Sequence, residues 1–163
     1  MTFKTVLRLL SAGAVVIVIV GGYLAYPTIY WSVVAYMNAD KTVSASQHGV
    51  AIQGYDTVAY FTEGKPKKGL PEYEAVWQDA KWHFSNKKHK ELFISNPERY
   101  APQFRGFCAL GISIGKKWDP DPIAWSIVDG KLYLNYDDIG RKKFIESSKD
   151  KIAKAKGNWD SNL

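Results

Sequence analysis

The sequence predicts an α+β fold: a compact domain of small antiparallel hairpins and short helices, preceded by one N-terminal transmembrane helix. Three observations carry this reading. Residues 9–37 contain no charged side chain. Two later stretches hold paired runs of β-forming residues around short turns, the clearer one at Asp129-Gly130. Around these runs, apolar residues recur at helical spacing behind capping residues such as Asn96-Pro97. The 163 residues are 46% apolar and 14% aromatic, which supplies a core and excludes wholesale disorder.

The apolar stretch is strongest over residues 9–20 and continues to Tyr26, close to the ~20 residues that span a hydrocarbon core. Lys4 and Arg8 precede it, and positive flanks stay in the cytoplasm. Tyr23, Tyr26, Tyr30 and Trp31 follow, at the level where amphipathic rings favour headgroups. Pro27 either ends the helix or starts a second apolar turn through Met37. A cleaved signal peptide would have an apolar region of ~7–15 residues and a small-x-small site; Ala25-Tyr26-Pro27 is a poor one. An uncleaved anchor is therefore favoured over a cleaved leader or a buried soluble helix. The expected organisation is a cytoplasmic terminus at 1–8, an anchor at 9–26, a juxtamembrane segment and linker at 27–47, and an exported domain at 48–163.

In the exported part, Val50-Ala51-Ile52 is a short strand candidate ending at Gly54. Asp56 precedes an apolar run and is expected to cap one helical turn through Phe61. A lysine-rich loop follows at 63–69. Residues 73–77 and 81–84 read as a hairpin whose buried face is Trp77, Trp82 and Phe84. Ser85 is the expected cap of a helix at 86–94, with Ser85, His89, Leu92, Phe93 and Asn96 on one face. Asn96-Pro97 restarts a short helix. Residues 109–114 are apolar and small, helix or strand, and 115–122 form a loop with Asp-Pro twice. Residues 125–128 and 131–135 flank the Asp-Gly turn as a second hairpin. Residues 137–156 read as one basic amphipathic helix with Phe144 and Ile145 turned inward and Gly157 as its stop.

Charge narrows the function classes. The chain carries +6 overall, and from Asp40 onward 20 basic and 16 acidic residues leave +4. That is a mildly basic surface, without the clustered basic and aromatic platform of a nucleic-acid binder, so no nucleic-acid partner is expected. No Cys-x-x-Cys, Gly-x-Ser-x-Gly, His-Glu-x-x-His or phosphate loop occurs. The expectation is a protein that is not an enzyme.

Cys108 is the single cysteine and cannot form an internal disulfide. Its options are a small core hydrophobe, a soft metal ligand, or a redox or partner-seeking thiol. A Cys and His set suits copper or zinc by softness. The candidate metal ligands are Cys108, His89 and His83, with Asp56 or Tyr55 as oxygen donors. Structural zinc is disfavoured, because a closed site wants four ligands, often mostly Cys. Bland readings stand beside these. His89 shares a face with Leu92 and Phe93, which supports a hydrogen-bonded core histidine. His83 alternates with Trp82 and Phe84 and so faces away from them. His48 reads as solvated surface.

The run Trp82-His83-Phe84-Ser85, His89, Phe93 and Asn96-Pro97-Glu98-Arg99-Tyr100 resembles the YHS domain. Gly54-Tyr55-Asp56-Thr57-Val58-Ala59-Tyr60-Phe61, Arg105-Gly106-Phe107-Cys108-Ala109 and the hairpin at 127–135 resemble the bacterial YHS domain-containing proteins, a likeness covering about residues 50–159. The resemblance implies a small α+β module and, from its metal-handling members, copper. Aligned on Phe84 and Phe93, the cysteine positions of those members fall on Ser85 and His89, so the thiolate pair is missing here. The resulting expectation is a single-pass protein of the cell inner membrane, its N-terminus cytoplasmic and its C-terminal domain periplasmic or otherwise extracytoplasmic. It would bind copper through Cys108 and His89 and so deal with a metal ion or a metal-handling protein. The alternatives are a metal-free protein-interaction module and, last, a thiol enzyme.

Overall fold

A computed structural model of the chain describes residues 43–45 and 48–161. The expected anchor at 9–26 and most of the expected linker lie outside the described residues. Among those described, no helix is long and apolar enough to cross a membrane. Helices and strands mix as the α+β expectation requires, with two antiparallel two-stranded hairpins.

The first hairpin joins β1 (Leu70–Trp77) to β2 (Ala80–Phe84). Its turn residues Gln78 and Asp79 both take positive φ, the geometry whose twist matches paired strands. Trp82 and Phe84 are fully buried from alternate positions of β2, and Trp77 packs its ring 5.9 Å from Trp82. β1 begins with a bulge between Leu70 and Glu74. Gly69, just before it, lies over the backbone of His83 so closely that a Cβ there would sit 2.3 Å from the His83 carbonyl carbon. Only glycine allows that approach.

The second hairpin joins β3 (Asp121–Val128) to β4 (Lys131–Asn135) through Asp129-Gly130, both at positive φ as the Asp-Gly pattern predicts. β4 is the central element of the domain. Leu132 and Leu134 enter a core with Trp82, Phe84, Phe93, Tyr60 and Ile52. Tyr133, pointing the other way, enters a second core with Phe104, Phe107, Ile112 and Phe144. The uninterrupted Leu-Tyr-Leu run is therefore a strand buried on both faces.

Short helices close the two cores. α1 (Ala59–Thr62), α2 (Lys87–Ser95) and α3 (Pro97–Tyr100) lie on the chain between Tyr55 and the second core, and α2 buries Phe93 and His89 as its periodicity predicts. Asn96 caps α3 by accepting the Arg99 N–H. α4 (Ala109–Ser113) settles the helix-or-strand ambiguity in favour of helix.

Five expectations change. Val50 and Ala51 make single bridges to Lys81 and Ala45, and Ile52–Gly54 is a 3-10 turn, so no strand forms there. Asn86, not Ser85, caps α2: its side chain accepts the His89 N–H, because Ser85 is held elsewhere. The long C-terminal helix is two helices, α5 (Asp138–Glu146) and α6 (Ser148–Asp160), broken at Ser147 with φ −143°. Gly157 lies inside α6 and does not stop it. Phe144 is buried as expected, but Ile145 is 44% exposed, since the break lets each helix turn its own narrow face to the second core.

Candidate functional site

Asp56 is the polar centre of the first core. Its carboxylate is fully buried between two segments. Oδ1 accepts the N–H groups of Val58 at 2.9 Å and Ala59 at 3.3 Å, which caps α1 as the sequence suggests. Oδ2 accepts the Ser85 N–H at 2.8 Å, the Ser85 hydroxyl at 2.7 Å and the His89 Nδ1 at 2.7 Å. These three bonds tie α1 to the corner between β2 and α2, 29 to 33 residues away. The Ser85 interaction is invisible to local pattern, because the partners meet only in the folded chain.

His89 is 6% exposed. Its Nε2 lies 3.2 Å from the Thr62 hydroxyl, which itself donates to the Val58 carbonyl at 3.1 Å and so keeps a lone pair for the ring. Glu63 Oε1 stands 3.9 Å from the same nitrogen. Each ring nitrogen thus faces an acceptor, and the imidazole links α2 to both ends of α1. A metal would have to displace Asp56 or Thr62 from a nitrogen.

Ser85, His89 and Asp56 are the residue types of a hydrolytic triad, but their polarity differs from one. The Ser85 hydroxyl donates to Asp56 at 2.7 Å and stands 3.3 Å from Nδ1, while Nε2 faces Thr62. A nucleophile needs the base nitrogen to take its proton. Here the hydroxyls are held by oxygen acceptors, and the cluster acts as a cross-link.

Cys108 occupies the second half of the domain. It is fully buried, and its Sγ accepts the N–H groups of Gly111 at 3.3 Å and Tyr136 at 3.2 Å, capping α4. Its own N–H donates to the Trp118 carbonyl at 2.9 Å. Burial pushes the thiol above its ordinary range, against the smaller lowering effect of those backbone donors. A raised, buried thiol is a poor nucleophile. Asn135, also fully buried, accepts the Leu110 N–H at 3.3 Å beside it, and its Nδ2 has no partner.

His83 is half-buried on the first hairpin, where its Nε2 lies 3.2 Å from Glu74 Oε2 on the paired strand. Tyr55 lies beneath Lys68, whose ammonium is 4.1 Å from the ring centroid. His48 is exposed, as read. His89, Cys108 and His83 therefore sit in three separate hydrogen-bond networks. Among the described residues, no three His, Cys, Asp or Glu side chains form a group able to hold a metal ion. Comparison with family models, curated proteins and solved structures gives no match for this chain.

Proposed function

We propose that the protein is a membrane-tethered, non-catalytic module of the YHS-like type, held outside the cytoplasm, that works by contact with a protein partner. One observation carries this reading. The side chains with chemical potential, Asp56, His89 and Cys108, are committed to internal hydrogen bonds that join separate segments. Support for contact comes from the hairpins. Val76, Ile123 and Ile127 are 71%, 60% and 38% exposed. β1 and β3 each pair on one side within their two-stranded sheets, and such edges accept an extended segment of a partner. Lys4, Arg8 and the uncharged run after them support the tether and its orientation.

The test sets contact against metal. Cu(I) is titrated into the full chain in detergent, and a photo-crosslinker is placed at Val76 or, as control, at Lys90 in intact membranes. The expected result is no stoichiometric copper binding, with a discrete, chelator-insensitive adduct from Val76 alone. One equivalent of copper, lost in Cys108→Ser and His89→Ala, would overturn the proposal in favour of the metal reading.

A further inference from the structure

The first hairpin leaves one backbone edge open. Its two-residue turn, with Gln78 and Asp79 both at positive φ, makes Trp77 and Ala80 its first hydrogen-bonded pair. Bonded and open pairs alternate along an antiparallel ladder, so Ala75 bonds to Trp82, while the peptide groups of Glu74, Val76, Lys81 and His83 point outward. On the β2 side these outward groups are in use: the Lys81 N–H donates to the Gly49 carbonyl at 2.8 Å, and its carbonyl accepts the Ala51 N–H at 2.8 Å. On the β1 side, among the described residues, no backbone group pairs with Glu74 or Val76. β3 is less open, because the Pro122 carbonyl near its start accepts the Tyr60 hydroxyl at 2.9 Å.

The side chains along this edge say what it accepts. Tyr73, Ala75 and Trp77 turn toward the first core, with the small Ala75 between two rings. Glu72, Glu74 and Val76 alternate with them on the other face, and β1 carries no lysine or arginine. Glu72 is exposed, and Glu74 meets His83 at 3.2 Å. The cations around the hairpin are held elsewhere. Lys65 and Lys67 bind Glu63, and Lys68 donates to the Gln53 carbonyl. α2, with its lysines, packs on the core face of the hairpin, where Phe93 meets Trp77. Lys81 lies opposite Val76 on β2, so a strand added at β1 sits about twice as far from it as from the glutamates. A second copy of β1 would bring its own glutamates to this edge, and like charges across a strand pair are destabilising. Opposite charges there are favourable.

We infer that the outer edge of β1 takes an extended segment of a partner protein in which basic residues alternate with apolar ones. The backbone of the segment pairs with Glu74 and Val76, and its basic side chains face Glu72 and Glu74. An apolar side chain enters over Ala75, between Tyr73 and Trp77. This rests on the contact reading of the proposed function; it selects β1 over β3 and states the chemistry of the partner.

The experiment uses the full chain, 15N-labelled, in an uncharged detergent. The probes are two end-capped peptides, Lys-Val-Lys-Val-Lys and Glu-Val-Glu-Val-Glu, titrated while backbone amides are followed by NMR. The lysine peptide is expected to shift the Glu74 and Val76 amides and to slow their hydrogen exchange, with the glutamate peptide binding about ten-fold more weakly. In Glu72→Lys that preference falls several-fold, while exchange protection of the Trp82 amide stays unchanged. Equal response to the two peptides, no response along β1, or a preference that Glu72→Lys leaves intact refutes the basic segment. If the Val76 adduct still forms in membranes, the contact reading then stands without it. A missing adduct refutes the contact reading, and with it a natural segment at this edge.

Discussion

Replacing Asp56 with alanine removes the cross-link between α1 and the β2–α2 corner. The carboxylate accepts five hydrogen bonds, three of them on Oδ2 from Ser85 and His89. Hydrogen bonds to charged groups contribute about 1.5–3 kcal/mol each, yet three on one oxygen do not add. Removing the acceptor leaves the buried Ser85 and His89 donors unsatisfied, at about 1–3 kcal/mol each, which is the better guide. The expected loss is about 4 kcal/mol from a domain stability of about 5–15 kcal/mol. For a domain of this size the melting temperature falls by about 15 °C. Asp56→Asn has nearly the same shape but one acceptor fewer. Its amide either faces the Ser85 and His89 donors or leaves α1 uncapped, so it costs about 2–3 kcal/mol. The assay is thermal unfolding of the full chain in mild detergent by near-ultraviolet circular dichroism, with a double-mutant cycle to His89→Gln. The cycle is expected to show about 1–3 kcal/mol of coupling. If Asp56→Ala loses less than about 1 kcal/mol, or couples to His89 no more than distant sites do, the carboxylate is not the cross-link argued here.

Two other perturbations test different parts of the fold. Gly69→Ala places a Cβ 2.3–2.6 Å from His83 backbone and side-chain atoms, which forces the start of β1 off β2 and costs about 3 kcal/mol in chemical denaturation. Gly157→Ala, with nothing within 4 Å and in the middle of α6, is expected to stabilise by up to about 1 kcal/mol; equal effects at the two glycines would defeat the steric argument. Alkaline pH probes the buried acids. Burial pushes the Cys108 thiol above its ordinary 9.0 and the Tyr60 phenol above its ordinary 10.0. The unfolded chain therefore releases these protons first. Their stabilisation is complete below about pH 9 and falls as pH rises, by at most about 1.4 kcal/mol per unit for each group. Melting scans from about pH 8 to about pH 11 should show this decline, and Tyr60→Phe should flatten its upper part; a slope unchanged in that variant refutes the assignment.

Particular residues show how far local pattern reaches. The Asp129-Gly130 turn, the buried Phe93 and the Asn96-Pro97 helix start were legible because each depends on neighbours within one or two turns. The break at Ser147 was not, because residues 137–156 carry helical spacing throughout and only packing of two separate faces on the second core decides where the helix turns. Ser85 looked like a cap for the same reason: the sequence could not show Asp56 waiting for its hydroxyl across 29 residues.

The sequence by itself determined the two hairpins and the positions of most helices, and singled out Asp56, His89 and Cys108 among the polar residues. Hydrophobic period, turn chemistry and residue scarcity are local properties, and they sufficed. The tertiary structure decided what those residues do. It placed Asp56 against His89, made Cys108 the cap of α4 and bonded it to the Trp118 and Tyr136 backbone, and set β4 between two cores. Those contacts join segments far apart in the chain, which is why local pattern could not show them: here separate segments meet in hydrogen bonds that hold the fold.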